Sequence, residues 1–574
     1  MTTMLISFFA CTIFVFSYAM YKNSKIAKNT SDGYFLGGRS LTSGVIAASI
    51  LLANLSATHF VGMTGDVYNG NMSTIGWEIN GALCLSIVAI FLLPRYLKGG
   101  ITTIPDFLED RYSFGMKQFI TYLVIFAYII NMLPITLYAG SVVMNAIFGI
   151  DSLLGVSYFT AIMIGVFAVG IIGILYALFG GLKAAATADS INGVLLVIGG
   201  LLVPIFGFIA LGNGDFMAGV EALSFNPEKM NSIGAANDLL PFSTTFTGLG
   251  IIVLYFFGTD QAMIQRALGA KDLKAGQKGI IFAGVYKILT PIVLMVPGLI
   301  AFQMYGSAAE SGLSADVIYP TLVNDVLPKP LLGLFVAAMF GAILSTFNGL
   351  LNSISTLYAK NIYQPKHPNM SDKEIVIAGK KLGVAVAFIS MIISPFLMYA
   401  PSGLYTHLQS INGFTNVPII VVVFMGYANK KVPAFAARNA SIYCLVVYGI
   451  DYLVGTPWHY LHTVAFLFVT SCLYMWHVSK TNPRTEDFVL KNSFAVDIKP
   501  WDRRYEFSGF LITVMVWVYI ILSPVGLARV GGFGTDTMIY MVAGAIVVTI
   551  LTVLAKKYIK PKEEAFLVEG LKED

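Results

Sequence analysis

Apolar residues in this chain come in runs of about 17–25, the length an α-helix needs to cross the hydrocarbon core of a bilayer. About fifteen such runs follow one another, from one centred near residue 12 to one near residue 546. The pattern predicts an all-α polytopic membrane protein. Alternate loops between the runs are basic. Lys22, Lys25 and Lys28 follow the first run, Arg95, Lys98, Arg111 and Lys117 the third, and Arg266, Lys271, Lys274 and Lys278 the seventh. The ninth is followed by Lys360, Lys366, Lys373, Lys380 and Lys381, and further basic groups lie at Lys430, Lys431 and Arg438, at 480–504 and at Lys556, Lys557 and Lys560. The intervening loops hold only Lys229, Lys329 and Arg529. Basic loops stay cytoplasmic, so the number of spans is odd, with the N-terminus outside and the C-terminus inside. Segments 212–242 and 305–329, mildly acidic and rich in Gly, Ser and Asn, read as the longest outer loops.

Polar residues inside the apolar runs carry the functional signal. The second run, Ile46 to Val67, holds Asn54, Ser56, Thr58 and His59, then Gly62 and Gly65. The seventh, Gly248 to Leu268, holds Gly258, Thr259, Asp260 and Gln261 in an apolar frame. They lie five runs apart and so cross the membrane in opposite directions. Matched polar, glycine-interrupted segments in oppositely oriented halves point to an inverted-repeat transporter. The simpler reading is that small polar residues help helices pack; it accounts for each residue alone better than for the matched pair. Two charges add to the signal. Lys287 lies in the run Gly279 to Met304 and Glu78 in the run Ser73 to Pro94. An ammonium in hydrocarbon costs about 2.5–3.5 kcal/mol on the insertion scale, and persists where it faces a partner or a polar cavity. Glu78 near a span end can also snorkel to water, and Trp77 beside it can be an interfacial anchor. Ser345 and Thr346, adjacent in the ninth run, can each bond back to a carbonyl one turn earlier.

Composition closes off other classes. Of 574 residues 56% are hydrophobic and 12% charged, against about 25% charged in soluble domains, and the mean hydropathy is +0.75. No polar stretch is long enough for a soluble catalytic or signalling domain. Cys11, Cys84, Cys444 and Cys472 all sit in apolar runs without a paired spacing, so neither disulfide nor cysteine metal site is expected. The first run, Leu5 to Met20, lacks a basic segment before it and reads as a retained span. The net charge of +5 reflects loop topology; no nucleic-acid partner follows from it, and membrane lipid is the surrounding medium. HExxH, a Walker loop and a serine elbow are absent from the sequence, so the chain is not expected to be an enzyme.

Four segments carry a resemblance: NLSATHFVGMTG (54–65), YALFGGLKAAATAD (176–189), TDQAMIQRALGAKDLKAGQKG (259–279) and LSTFNGLLNSISTLYAKNIY (344–363). With them in this order, from about Gly33 to Tyr427, the chain resembles the sodium:solute symporter family, and its sodium/glucose cotransporter branch in particular. The resemblance implies a LeuT-type core of two inverted five-helix repeats, 44–212 and 243–427. An extra N-terminal helix and basic loop (1–30) would precede it, with four C-terminal helices (434–556) and a cytoplasmic tail (557–574) after it.

The resemblance also implies site residues. Sodium would be held by the carbonyls of Leu52, Leu55 and Ala342 and the hydroxyls of Ser345 and Thr346. A second sodium in some relatives involves an acid matching Asp189 and hydroxyls where this chain has Asn348 and Gly349, so one sodium per cycle is expected; Asp189 also reads as an N-cap for the span from Ser190. The sugar-contacting positions correspond to Asn54, His59, Glu78, Lys287 and Gln409. Met63, Trp77 and Tyr405 fall at the outer lid, and Phe256 stands where relatives carry a gate tyrosine. The expected activity is sodium-coupled uptake of a small-molecule solute by alternating access, a neutral hexose being favoured because no arginine is assigned to the core spans. The alternatives are an acidic sugar such as sialic acid, another organic solute, or a non-transporting membrane sensor. The compact loops fit a bacterial inner membrane, and no protein partner is predictable.

Overall fold

The computed structural model describes residues 2–22, 39–399, 404–490, 493 and 495–568, with backbone alone at 16, 19, 20, 22, 177–190, 404, 406 and 407. The regular elements of the described residues are helices. In chain order the main ones are α1 (Thr2–Lys22), α2 (Ser43–Asn54), α3 (Ala57–Asn69), α4 (Gly76–Ile87), α5 (Phe114–Ala127), α6 (Leu133–Phe148) and α7 (Tyr158–Leu211). Then come α8 (Gly248–Gly258), α9 (Gln261–Leu268), α10 (Leu273–Leu294), α11 (Val296–Tyr305), α12 (Ala315–Val326), α13 (Lys329–Tyr358) and α14 (Asp372–Ile393). The last are α15 (Leu404–Ala428), α16 (Ala434–Val454), α17 (Tyr460–Thr481), α18 (Arg504–Ile521), α19 (Thr535–Tyr558) and α20 (Lys560–Val568).

Among the described residues eleven helical stretches are long and apolar enough to cross a membrane, twelve when the bent pair α2–α3 is taken as one span. The helical run α7 contributes two of them, Tyr158–Tyr176 and Ile191–Leu211. Helix α1, the pair α8–α9 and α16 are helical at three further apolar runs of the sequence. The protein is integral to the membrane.

Both polar, glycine-interrupted runs are broken helices. Helix α2 stops at Asn54, Leu55 and Ser56 leave helical geometry, and α3 departs at 58°. In the seventh run α8 ends at Gly258 and α9 begins at Gln261. Asp260 is extended and caps α9, its carboxylate accepting from the amides of Ala262 and Met263. A short polar side chain thus satisfies helix-end amides that lipid cannot.

Helix α13 lies at the centre, packed by α1, α2, α6, α7 and α14; α10 packs on α2 and α4, and α8 on α4 and α15. The segment 305–329, read from sequence as a loop, contains α12. That helix presents Ile318, Tyr319, Leu322 and Val323 as a buried stripe against α3 and α6. The apolar positions recur at helical spacing between the polar residues that mark the segment as a loop.

Several of the basic loops meet on one face. Arg111 donates to the carbonyls of Gly426 and Val432, Arg484 N to Lys431 O, and Ser493 N to Lys98 O. On the same face α20 docks through Glu563, which accepts two bonds from Nε and one from Nη2 of Arg504 and one from Tyr505.

Candidate functional site

The two opposite charges of the spans meet. Lys287 Nζ of α10 lies 2.6 Å from Glu78 Oε2 of α4, with side chains 4% and 1% exposed. Gly81, one turn beyond Glu78, makes this possible: a Cβ there would stand 2.9 Å from Lys287 Cε. Thr290, one turn beyond Lys287, donates to Glu78 Oε2 at 2.5 Å. Lys287 Nζ also donates to Asn54 Oδ1 at 2.6 Å, at the end of α2. That bond orients the Asn54 amide, whose Nδ2 then donates to His59 Nε2 at 3.3 Å. With Nε2 accepting, Nδ1 of a neutral imidazole carries the proton and donates to Ser56 Oγ at 3.0 Å. The result is one chain of partners, Glu78–Lys287–Asn54–His59–Ser56, crossing the break between α2 and α3. Glu78 is buried on the cavity wall and paired, not exposed at the span end, and Trp77, 8% exposed, is a wall residue and not an interfacial anchor.

The opposite wall belongs to α15. Gln409 donates to Tyr405 Oη at 3.3 Å and accepts from Asn412 at 3.2 Å; Asn412 accepts from Asn131 at 3.0 Å. Between the walls lies a cavity. Asn54, His59, Glu78, Lys287, Gln409, Trp77, Phe256 and Tyr405 all line it. Tyr405 meets His59 and Trp77 edge-on, at ring-centroid distances of 5.5 and 6.1 Å. Gly62 lets α3 approach this ring, since a Cβ there would be 2.5 Å from Tyr405 Cβ. Met63 is fully buried but is not among the cavity-lining residues.

Sequence reasoning missed Thr290 and Asn412, although each stands three residues after a named position on the same helix face. It also misplaced Arg266. This arginine lies in α9, is 2% exposed and lines the cavity, so a core arginine is present. It donates to Ser49 Oγ at 3.0 Å and to Ala262 O, and Gly349 of α13 leaves room for its guanidinium. A basic residue at a span end reads as loop because hydropathy alone cannot show that α9 turns back into the packed core.

The break also frees carbonyls. In an unbroken helix Ser56 N would donate to Leu52 O, and His59 N to Leu55 O. Here Ser56 N donates to Asn54 O at 2.9 Å and His59 N to Ser56 O at 3.0 Å. Helix α13 packs against α2, and Ser345 Oγ and Thr346 Oγ1 on it are buried without a hydrogen-bond partner. The bond back to a carbonyl one turn earlier, which the sequence allowed, is not made. Buried hydroxyls are costly unless satisfied, and unpaired hydroxyl oxygens on a helix that packs against the broken one are of the donor type a small hard cation takes. Thr346 also lines the solute cavity, so the two candidate sites adjoin. Of the residues considered for a second ion, Asn348 is buried and unpartnered, and the Asp189 side chain lies outside the described residues.

A cavity between two broken membrane helices, walled by a charge pair and amides, is the arrangement of a membrane transporter for a small-molecule solute. The family model of the sodium:solute symporter family matches residues 34–442, and the chain belongs to that family. It is 42% identical over 553 residues to the uncharacterized symporter YidK of Escherichia coli (strain K12), covering 95% of each chain. It is 29% identical over 438 residues to the sodium/glucose cotransporter of Vibrio parahaemolyticus, covering 71% of this chain and 77% of that one. Against the human sodium/myo-inositol cotransporter 2 the identity is 26%, over 78% and 69% of the two chains. Among solved structures a Na+-coupled sialic acid symporter in a substrate-bound outward-open state superposes with a TM-score of 0.72 at 18% identity, covering 84% of this chain and 99% of that one. The fold is that of the LeuT-type transporters. The chain is a transporter, not an enzyme; its coupling ion is sodium and its cargo a small-molecule solute.

Proposed function

We propose that this protein imports a neutral polyhydroxy solute, a sugar of the hexose class, with sodium by alternating access. The observation that carries the reading is the Glu78–Lys287 pair on the cavity wall. It presents a strong acceptor and a strong donor with no net charge, flanked by Asn54, His59 and Gln409. Sugar hydroxyls both donate and accept, so such a wall can meet several of them at once. An aromatic surface from Trp77, Tyr405 and Phe256 suits the apolar face of a sugar ring. The family's sodium/glucose and sodium/myo-inositol cotransporters support a polyhydroxy cargo.

In this mechanism sodium binds between the freed carbonyls of Leu52 and Leu55, the Ala342 carbonyl, and the hydroxyls of Ser345 and Thr346. It thereby ties α2 to α13 and favours the conformation in which those oxygens converge. A ligand shifts a conformational equilibrium only by its differential affinity, and the hydroxyls of Ser345 and Thr346 lack protein partners of their own. With α2 held, Asn54 and His59 keep the solute wall in register, which couples the two ligands. Solute then draws Trp77 and Tyr405 over the cavity. The moving units are the repeats 44–212 and 243–427, with the N-terminal helix and basic loop of 1–30, the four helices of 434–556 and the tail 557–574 outside them. The alternation of basic loops supports an outside N-terminus and a cytoplasmic C-terminus, in a bacterial inner membrane.

A specific observation favours a second reading, an acidic sugar: Arg266 lies on the cavity wall, where a cargo carboxylate can be met. The neutral reading stands above it because Arg266 already donates to Ser49 and Ala262. The deciding experiment is sodium-driven uptake into proteoliposomes with D-glucose, D-galactose, myo-inositol and sialic acid. Uptake of neutral members is expected. Uptake of sialic acid alone rejects the neutral reading, and uptake unchanged when choline replaces sodium rejects the symport mechanism.

A further inference from the structure

The C-terminal helix α20 has only nine residues, Lys560–Val568. A helix that short is marginal alone in water, so its order comes from what it docks on. Glu563, already bonded to Arg504 and Tyr505 of α18, is also reached by Gln277 Nε2 of α10 at 3.5 Å. Gln277 is fully buried, donates to Ala89 O at 3.0 Å and accepts from Trp501 N at 2.8 Å. One turn beyond Glu563, Phe566 lies against the end of the span Met72–Gly99, the span that carries Glu78. Lys98 donates to the Phe566 carbonyl, one of the last-turn carbonyls that the helix itself leaves unpaired. Its Nζ is also 4.4 Å from the Phe566 ring centroid. Arg95 lies over the same ring, its Cζ 4.9 Å from that centroid and 5.7 Å from the ring centroid of Tyr427, near the end of α15. Arg95 is thus held by two rings, one from α20 and one from α15. Its neighbour Tyr96 donates to Gly258 O at 2.9 Å, where α8 breaks, and Tyr427 stacks on Phe107 at 4.2 Å. The ends of the Glu78 span, α8 and α15 therefore meet on the basic face, with α20 packed on the joint.

We propose that α20 is a latch: docked, it holds Arg95 over Tyr427 and keeps the protein closed on its basic face, and opening toward that face requires Phe566 to leave Arg95 and Lys98. The inference rests on the alternating-access reading above and is independent of which solute is carried. Alternating access must part the ends of the helices that wall the cavity, here the Glu78 span, α8 and α15. A contact that needs those ends together favours the closed state by the whole of its own strength, since the open state does not make it. The two ends of α20 differ in how firmly they hold. Cation–ring contacts are individually weak, whereas the Arg504–Glu563 pair is buried, charged and multiply hydrogen-bonded. Phe566 is therefore the end that lets go, and Glu563 the end that stays. Once undocked, a segment this short loses its helix, so the latch has two distinct states, docked and helical or released and unfolded.

The test is the rate at which a water-soluble maleimide labels a cysteine placed under the latch, in the purified full-length protein in detergent. Thr259→Cys puts the thiol at the α8 break, where Thr259 is buried; Thr244→Cys puts one at a buried position just before the start of α8, as a control. The protein with only its four native cysteines gives the background. Phe566→Ala should speed labelling at position 259 roughly fivefold or more, through loss of both cation–ring contacts, and leave position 244 within about twofold, since the opening is local. Phe566→Tyr, which keeps a ring for both cations, should hold the wild-type rate. Glu563→Gln weakens the other anchor while keeping the side chain's shape; it should also speed position 259, and it keeps the test open if the alanine variant does not fold. Unchanged labelling at position 259 in Phe566→Ala and Glu563→Gln overturns the latch. Equal acceleration at positions 259 and 244 overturns it too, because that is general loosening. The labelling uses no solute, so its failure is distinct from that of the symport reading, which uptake unchanged in choline would reject.

Discussion

The charged cavity wall and the stretch of α13 from Ser345 to Asn352 are both buried and polar, yet they are completed in opposite ways. Glu78, Lys287, Thr290, Asn54 and His59 satisfy one another. Ser345, Thr346, Asn348 and Asn352 satisfy nothing in the protein. A wall that supplies its own partners keeps its shape between cargoes, and a solute must exchange for bonds already made. A stretch without partners is destabilising when empty, because buried polar groups cost free energy unless paired; its ligand removes that cost. Under the proposed mechanism the contrast separates recognition from coupling: solute is read by a preformed surface, whereas sodium changes which conformation is favoured.

The strongest way to break this contrast is to replace both hydroxyls. Ser345→Ala with Thr346→Ala should abolish sodium-driven uptake and erase the rise in melting temperature that sodium produces by mass action. Melting without sodium should be unchanged or raised, since two unsatisfied groups are gone. A double variant that keeps its sodium-dependent melting shift places the ion elsewhere.

The wall should respond in the opposite sense. Lys287→Ala leaves the buried Glu78 carboxylate without its counter-charge, a loss of roughly 3–5 kcal/mol in stability. Replacing both partners together, Glu78→Leu with Lys287→Met, should recover most of that loss while abolishing solute binding. Thermal unfolding in detergent reads both; equal destabilisation by the single and the double change would mean the pair is not a unit.

A gentler probe is Glu78→Gln, which keeps shape and removes charge. Loss of a charged hydrogen bond, about 1.5–3 kcal/mol, should raise the solute dissociation constant roughly 10- to 150-fold. Calorimetry should find sodium affinity without sugar nearly unaltered; a parallel loss of sodium affinity would show that the two regions are not separable. The smallest effect is expected at Asp189→Asn. Uptake should depend on sodium with a Hill coefficient near one, a single coupled ion, and this change should leave it there. Reversal potentials giving two sodium ions per solute would reject that stoichiometry.

Much of the molecule was legible in the order of its residues. Apolar run length marks spans because the bilayer imposes one length on every helix that crosses it, and the breaks at Asn54–Ser56 and Thr259–Asp260 stood out as polar residues in apolar frames. Glu78 and Lys287 were conspicuous for the same reason: a charge in hydrocarbon needs a partner. Their pairing with each other, through the gap left by Gly81, belongs to the packing of α4 on α10. So do the burial of Arg266, hidden among loop lysines until α9 folds against α2 and α13, and the helix α12 inside an apparent loop. Periodicity and hydropathy are properties of neighbours along the chain, and they determined the class, the spans and the breaks. Which polar groups find partners depends on distances between residues hundreds of positions apart; only the tertiary structure decided that the solute wall is satisfied and the face of α13 is not.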